Sequence, residues 1–122
     1  MPTFVEMDQK STLAAQMETP LGPVVLINTL TVDPNEAAQL MEAWAADAAW
    51  MRRQPGFIST QLHRGIAGSR VFLNYAVWES TEDFKRAFTH PEFRAHLGHY
   101  PPSTVVSPHL FQKLAVPGIC VA

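Results

Sequence analysis

Only one cysteine, Cys120, occurs in the 122 residues. No internal disulfide can form, and a lone thiol near the end of a chain reads as incidental rather than as a nucleophile. No apolar run approaches the roughly 20 residues of a membrane span. The N-terminus also lacks a basic start followed by a long apolar stretch, so the chain reads as cytoplasmic, with no secretory leader. Charge is sparse: Asp, Glu, Lys and Arg make up 16% of the chain and the formal net charge is −2. Without a basic stripe, nucleic acid is a poor partner. No glycine-rich dinucleotide loop is present, which removes support for a bound nicotinamide or a tightly held flavin. No carboxylate or cysteine stands at ligand spacing from His96 and His99, so no metal site is expected.

What is present is apolar. Hydrophobic residues reach 47%, which excludes a disordered chain and suits one compact domain. A domain this small buries only about two-thirds of its unfolded surface, so a partner subunit would add to its stability. Residues 1–22 show no sustained period and end in the breaker cluster Thr19-Pro20-Leu21-Gly22-Pro23. They read as an arm lying on the domain or on a neighbouring subunit. The domain itself spans 23–116, and 117–122 forms a tail.

Within the domain, Val24 to Val32 is rich in β-branched residues and predicts a strand. Asp33, Pro34 and Glu36 give a helix-start signature with capping-box spacing. The helix that follows runs to about Arg53, with Ala37, Leu40, Met41, Trp44, Ala48 and Met51 as its buried stripe. Gln54-Pro55-Gly56 stops it. Phe57 to His63 is a second, more polar strand, and after a hairpin loop Val71 to Trp78 is a third. Ser80 opens a second helix with Phe84, Ala87 and Phe88 inward. A short third helix runs from Pro91 to Leu97, and a last strand lies within Ser107 to Val116, at an edge because Pro108 interrupts it.

This order is the split βαβ, ferredoxin-like α+β arrangement with an antiparallel sheet. Its first and third strands are central neighbours, and helices cover one face. Alternation leaves Val25, Ile27, Val71, Leu73, Tyr75 and Val77 on the other face. An apolar face of that size predicts self-association; two such sheets packed face to face give a homodimer with the form of an α+β barrel.

Asn28 and Asn74 are the strongly polar residues on otherwise aliphatic strand faces, and Trp78 lies on the same face as Asn74. A single buried Asn usually serves backbone groups, and a Trp ending a strand is usually core. Three such side chains converging on the helix-covered side would carry several desolvated polar groups into one pocket, which favours a functional site. Trp44 and Phe88, on the inward faces of their helices, are candidates for a substrate-binding wall, together with His63 and His96.

The segments Val24 to Val32, Arg53-Gln54-Pro55-Gly56-Phe57, Leu73-Asn74-Tyr75-Ala76-Val77-Trp78 and Asp83-Phe84 resemble the antibiotic biosynthesis monooxygenase family. Within it they resemble the anthrone oxygenases of aromatic polyketide biosynthesis, of the nogalonic acid and tetracenomycin type. The similarity covers roughly Val24 to Val116. It implies a monooxygenase that uses O₂ to oxidise an anthrone- or naphthacenone-type polyketide to a quinone with no cofactor. It also implies catalytic roles for Asn28, Asn74 and Trp78, one position at a time. His63, ending the second strand, could assist as a base or be a solvated hairpin residue. Three other activities or roles fit the scaffold. A ring-opening oxygenase would take reduced flavin as a diffusible substrate and leave no motif. A ligand-binding barrel would have no catalysis. Haem-degrading relatives combine a first-strand Asn, a Trp on the second helix and a His on the next. Asn28 matches the first, Ala87 stands near the Trp position, and His96 lies one residue from the His position.

Overall fold

The computed structural model describes residues 1–122. A five-stranded sheet runs in the order β1-β5-β2-β4-β3, with β1 at Thr3–Phe4, β2 at Val24–Thr31, β3 at Phe57–Arg64, β4 at Val71–Trp78 and β5 at Val105–Phe111. β1 joins β5 in parallel, and every other pairing is antiparallel. The four strands β5-β2-β4-β3 form the ferredoxin-like core, with β2 and β4 central as the strand pattern predicts. Helices α2 (Ala37–Met51), α3 (Thr81–Phe88) and α4 (Pro91–Leu97) cover one face, and α1 (Leu13–Met17) packs against β5 and α3.

The face assignment by alternation holds along both central strands. Val24, Leu26, Leu30, Phe72, Ala76 and Trp78 are buried under the helices. On the opposite face Val71 and Tyr75 stay exposed, at 41% and 40%. Ile27, Leu73 and Val77 on that face are half-buried, and Val25 differs from the expectation in being buried, at 6%.

Three local expectations are corrected. The capping box at Asp33 does not close on itself: Asp33 makes no side-chain cap bond. Its N–H donates instead to the Ser103 hydroxyl, which donates to Glu36, so a residue from the β5 approach completes the turn. The stripe of α2 is centred on Leu40, Ala43, Asp47 and Trp50, which leaves Met41 at its rim, 47% exposed. Finally, β5 begins at Val105 and ends at Phe111, and it is not a bare edge. β1 pairs with its start, and the Gln16 side-chain amide of α1 both accepts from the Leu110 N–H and donates to the Leu110 carbonyl. Residues 1–22 thus lie on the domain, with Leu13 in the core.

Gly56 sets the entry to β3. It adopts φ +86, and a Cβ there would fall 2.2 Å from the Asp83 carboxyl. Only glycine fits such an approach. The turn delivers Phe57 edge-on to Trp78, with ring centroids 5.4 Å apart.

Candidate functional site

Between the helices and the covered face of the sheet lies a cleft enclosing about 700 Å³ of empty space, part of it open to solvent. Fifteen of its 20 lining residues are hydrophobic, so a polar group placed there meets little water. Phe84, Phe88 and Phe93 form an aromatic wall, the first two stacked with centroids 5.3 Å apart. Phe4 of β1 adds to it, edge-on to Phe88 at 6.2 Å. A second groove between α2 and β3 shares Trp44, Ala48, Phe57 and Thr60 with the cleft and continues it to the surface.

The cleft's polar groups are few. Asn28 and Asn74 are direct register partners across β2 and β4, and both line the cavity. Pro108, which has no N–H to give, faces Asn28 from β5. Beside it, the Ser107 N–H donates to Asn28 Oδ1 at 3.1 Å. On the other side the Thr60 hydroxyl donates to Asn74 Oδ1 at 2.6 Å. Each amide thus has its oxygen engaged and its orientation set, which leaves each Nδ2 as the donor for a guest. Trp78 also lines the cavity, at 2% exposure, and packs edge-on against Phe57 and Phe84. It is core and wall together.

Trp44 and Phe88 line the cleft. His63 and His96 do not. His63 is exposed and pairs with Leu73 on the open face of the sheet, because alternation from Thr60 and Leu62 turns it away. His96 packs near Trp50, with centroids 6.4 Å apart, and edge-on to His99 at 6.0 Å. No histidine is on the cleft wall. No cluster of three or more His, Cys, Asp and Glu side chains could hold a metal ion, and no helix is long and apolar enough to cross a membrane.

The sequence reading passed over one pair. Asp47, 8% exposed, lines the cleft from α2, and its Oδ2 accepts from the Tyr100 hydroxyl at 3.1 Å. Its Oδ1 is buried without a partner. Burial pushes the Asp47 carboxyl up to about 7, against a smaller lowering by the Tyr100 hydrogen bond. Burial, and then the neighbouring carboxylate, raise the Tyr100 phenol well above its ordinary value, so it stays a donor. The available signal was the helical period: Asp47 falls three residues after Trp44 and four before Met51, on the buried side.

Fold and cleft together define a small α+β protein with an aromatic-walled cleft that carries a few hydrogen-bonding groups. Residues 23–98 match the sequence profile of the antibiotic biosynthesis monooxygenase family, and the chain belongs to that family. It is similar to the mycobilin-producing haem oxygenase of Mycobacterium tuberculosis, 34% identical over 77 residues, which are 63% of this chain and 73% of that protein. It is equally similar, at 34% over 73 residues, to deoxynogalonate monooxygenase of Streptomyces nogalater, covering 60% of this chain and 61% of the relative. Among solved structures, SnoaB, a cofactor-independent oxygenase from Streptomyces nogalater, superposes with a TM-score of 0.71. That match has 28% identity and covers 80% of this chain and 99% of SnoaB.

Proposed function

We propose that this protein is an oxygenase that uses O₂ to oxidise an anthrone-type aromatic polyketide to a quinone without a resident cofactor. The observation that carries the reading is the facing pair Asn28 and Asn74, oxygens tied down and amide donors free, in an aromatic cleft. Triplet O₂ reacts slowly with closed-shell molecules, but an enolate or phenolate can give it one electron. The protein must then bind that anion, exclude water and hold O₂ beside the reacting carbon. Fixed amide donors in a dry site stabilise the oxyanion electrostatically. Phe88, stacked against the buried Phe84, offers a flat surface to fused rings, and the Trp78 indole offers one N–H. The similarity to SnoaB, a cofactor-independent oxygenase, and to deoxynogalonate monooxygenase supports oxygenation without a cofactor.

The test is anaerobic mixing with an anthrone followed by O₂, with no flavin or metal added. Quinone absorbance should then appear well ahead of the spontaneous reaction, and a chelator should change nothing. No acceleration, or acceleration only with reduced flavin, would overturn the cofactor-free reading. Haem deserves its own arm because of the mycobacterial relative. A haem would require His96 to be brought to the cleft wall from its place near Trp50. The residues as arranged do not fit one. A stoichiometric haem complex that degrades under O₂ and reductant would transfer the function to that of the relative.

We further propose a homodimer joined through the open sheet face, motivated by exposed Val71 and Tyr75 beside Ile27, Leu73 and Val77. Apolar surface of this kind is stabilised when removed from water. Sedimentation at micromolar concentration should give twice the mass of one chain. A Tyr75→Glu substitution should shift the protein to monomer, and a wild-type monomer at that concentration would remove the barrel.

A further inference from the structure

Packing does not account for Asp47. It is the buried carboxylate on a wall otherwise built from Trp44, Met51, Phe93 and Leu97. A structural carboxyl in such a place normally has both oxygens satisfied, yet here Oδ2 has the Tyr100 hydroxyl and Oδ1 has nothing. An unpartnered buried acceptor is costly to maintain. It is also the arrangement that a proton-accepting group needs, with one oxygen held and the other without a partner on a residue that lines the cavity.

We infer that Asp47 is the general base of the oxygenase, taking a proton from the bound hydroxylated substrate at Oδ1 while Tyr100 acts as the positioning residue. The inference rests on the oxygenase reading above. In the step, Asp47 accepts the proton of the substrate's enol or phenol O–H, and that bond's electron pair stays on the substrate as the anion. The anion gives one electron to O₂, and the substrate radical and superoxide join in a new C–O bond. The neutral Asp47 carboxyl returns its proton to the outer peroxide oxygen, which restores the base. Loss of the remaining hydrogen at that carbon with cleavage of the O–O bond releases water and leaves the quinone carbonyl. O₂ is the only oxidant, and it is reduced to one carbonyl oxygen and one water.

The environment of Asp47 suits both transfers. Burial holds its carboxyl near neutrality, where it can both accept and return a proton. Tyr100, from the turn after α4, is the other titratable group on the cleft wall. On α4 and just beyond it, His96 and His99 pack against each other, with His96 near Trp50. The basic residues of α3 are taken up by Glu18, Glu82 and Asp83. Arg94 of α4 lies over the Phe88 ring at 6.0 Å and Arg52, just after α2, lines the outer groove, and no lysine or arginine lines the cleft itself.

Two readouts separate this inference from the reading beneath it. With an anthrone, kcat of the wild type should rise with pH through about 7 and then level. Asp47→Asn should be slower by about 10²-fold or more and should lose the inflection. Tyr100→Phe should keep activity but move the inflection to higher pH, because the hydrogen bond that lowers the carboxyl is gone. The second readout needs no turnover: a dihydroxyanthraquinone, which lacks the reactive methylene and reddens on ionisation. Wild type at pH 8 should bind it as the anion, and Asp47→Asn as the neutral form. If no anthrone is oxidised, the oxygenase reading fails, and the bound colour still decides whether Asp47 takes a proton. Equal ionisation in both proteins, an unshifted inflection in Tyr100→Phe, or no binding of the dye would each overturn the inference.

Discussion

Replacing Asn74 by Ala is expected to lower the turnover of an anthrone by about 10²–10³, the usual loss when one fixed oxyanion donor is removed. Asn28→Ala should lose a similar factor. The two amides face each other across the central strand pair and are oriented by different neighbours, Ser107 and Thr60. Thr60→Val leaves Asn74 in place but frees its amide to turn. A smaller loss, about tenfold, is expected from it, and that graded response is what a positioning contact should give. Trp78→Phe should cost at least tenfold as well, but it is a poorer witness. Trp78 packs against Phe57 and Phe84 at 2% exposure, so its melting temperature should fall along with its rate. Steady-state rates and thermal melts of the same proteins make the comparison. Unchanged turnover in Asn74→Ala with a lowered melting temperature would return that amide to a purely structural role.

The second large effect runs the other way, toward stability. The Asp47 carboxyl has its ordinary value, 3.8, in the unfolded chain and about 7 in the folded one. The folded protein therefore holds a proton that the unfolded chain releases. Below pH 3.8 both states are protonated and the group costs nothing. As pH rises from 3.8 to about 7 stability falls, and above about 7 the cost is constant. That span of roughly three pH units corresponds to about 4 kcal/mol. Asp47→Asn removes the titration. The variant should gain several degrees in melting temperature over wild type at pH 8, and the advantage should shrink toward zero near pH 4. Melts of the pair at pH 4, 6 and 8 test it, and a difference independent of pH would count against a buried, strained carboxyl. A stabilising change that also removes activity is the expected mark of a group kept for chemistry rather than for the fold.

The candidate site was legible in the sequence where local geometry decides. A strand's period of two put Asn28 among Leu26 and Leu30, and Asn74 among Phe72, Ala76 and Trp78. The structure keeps those faces. The same rule read from Thr60 and Leu62 would have turned His63 to the open side, where it lies. Of the two alternatives for His63, a base or a solvated hairpin residue, the exposed side chain agrees with the second. His96 occupies its predicted helix, but it points its interactions at Trp50 and His99. The N-terminal segment had no readable period because its two-residue strand and five-residue helix are too short to show one.

By itself the sequence determined the element order, which side chains share a strand face and the apolar stripes of the helices. Each of these follows from backbone repeat lengths that act within a few residues. The tertiary structure alone decided who meets whom. The β2–β4 register set Asn28 opposite Asn74, and Pro108 came to face Asn28 with the Ser107 N–H beside it. Phe4 was brought from the first strand onto the cleft wall. Tyr100, 53 residues beyond Asp47, arrived to hold one carboxylate oxygen and leave the other bare. Burial and hydrogen-bond partners are properties of segments far apart in the chain, and the free energy that moves a carboxyl from 3.8 to about 7 comes into being only when those segments close around it.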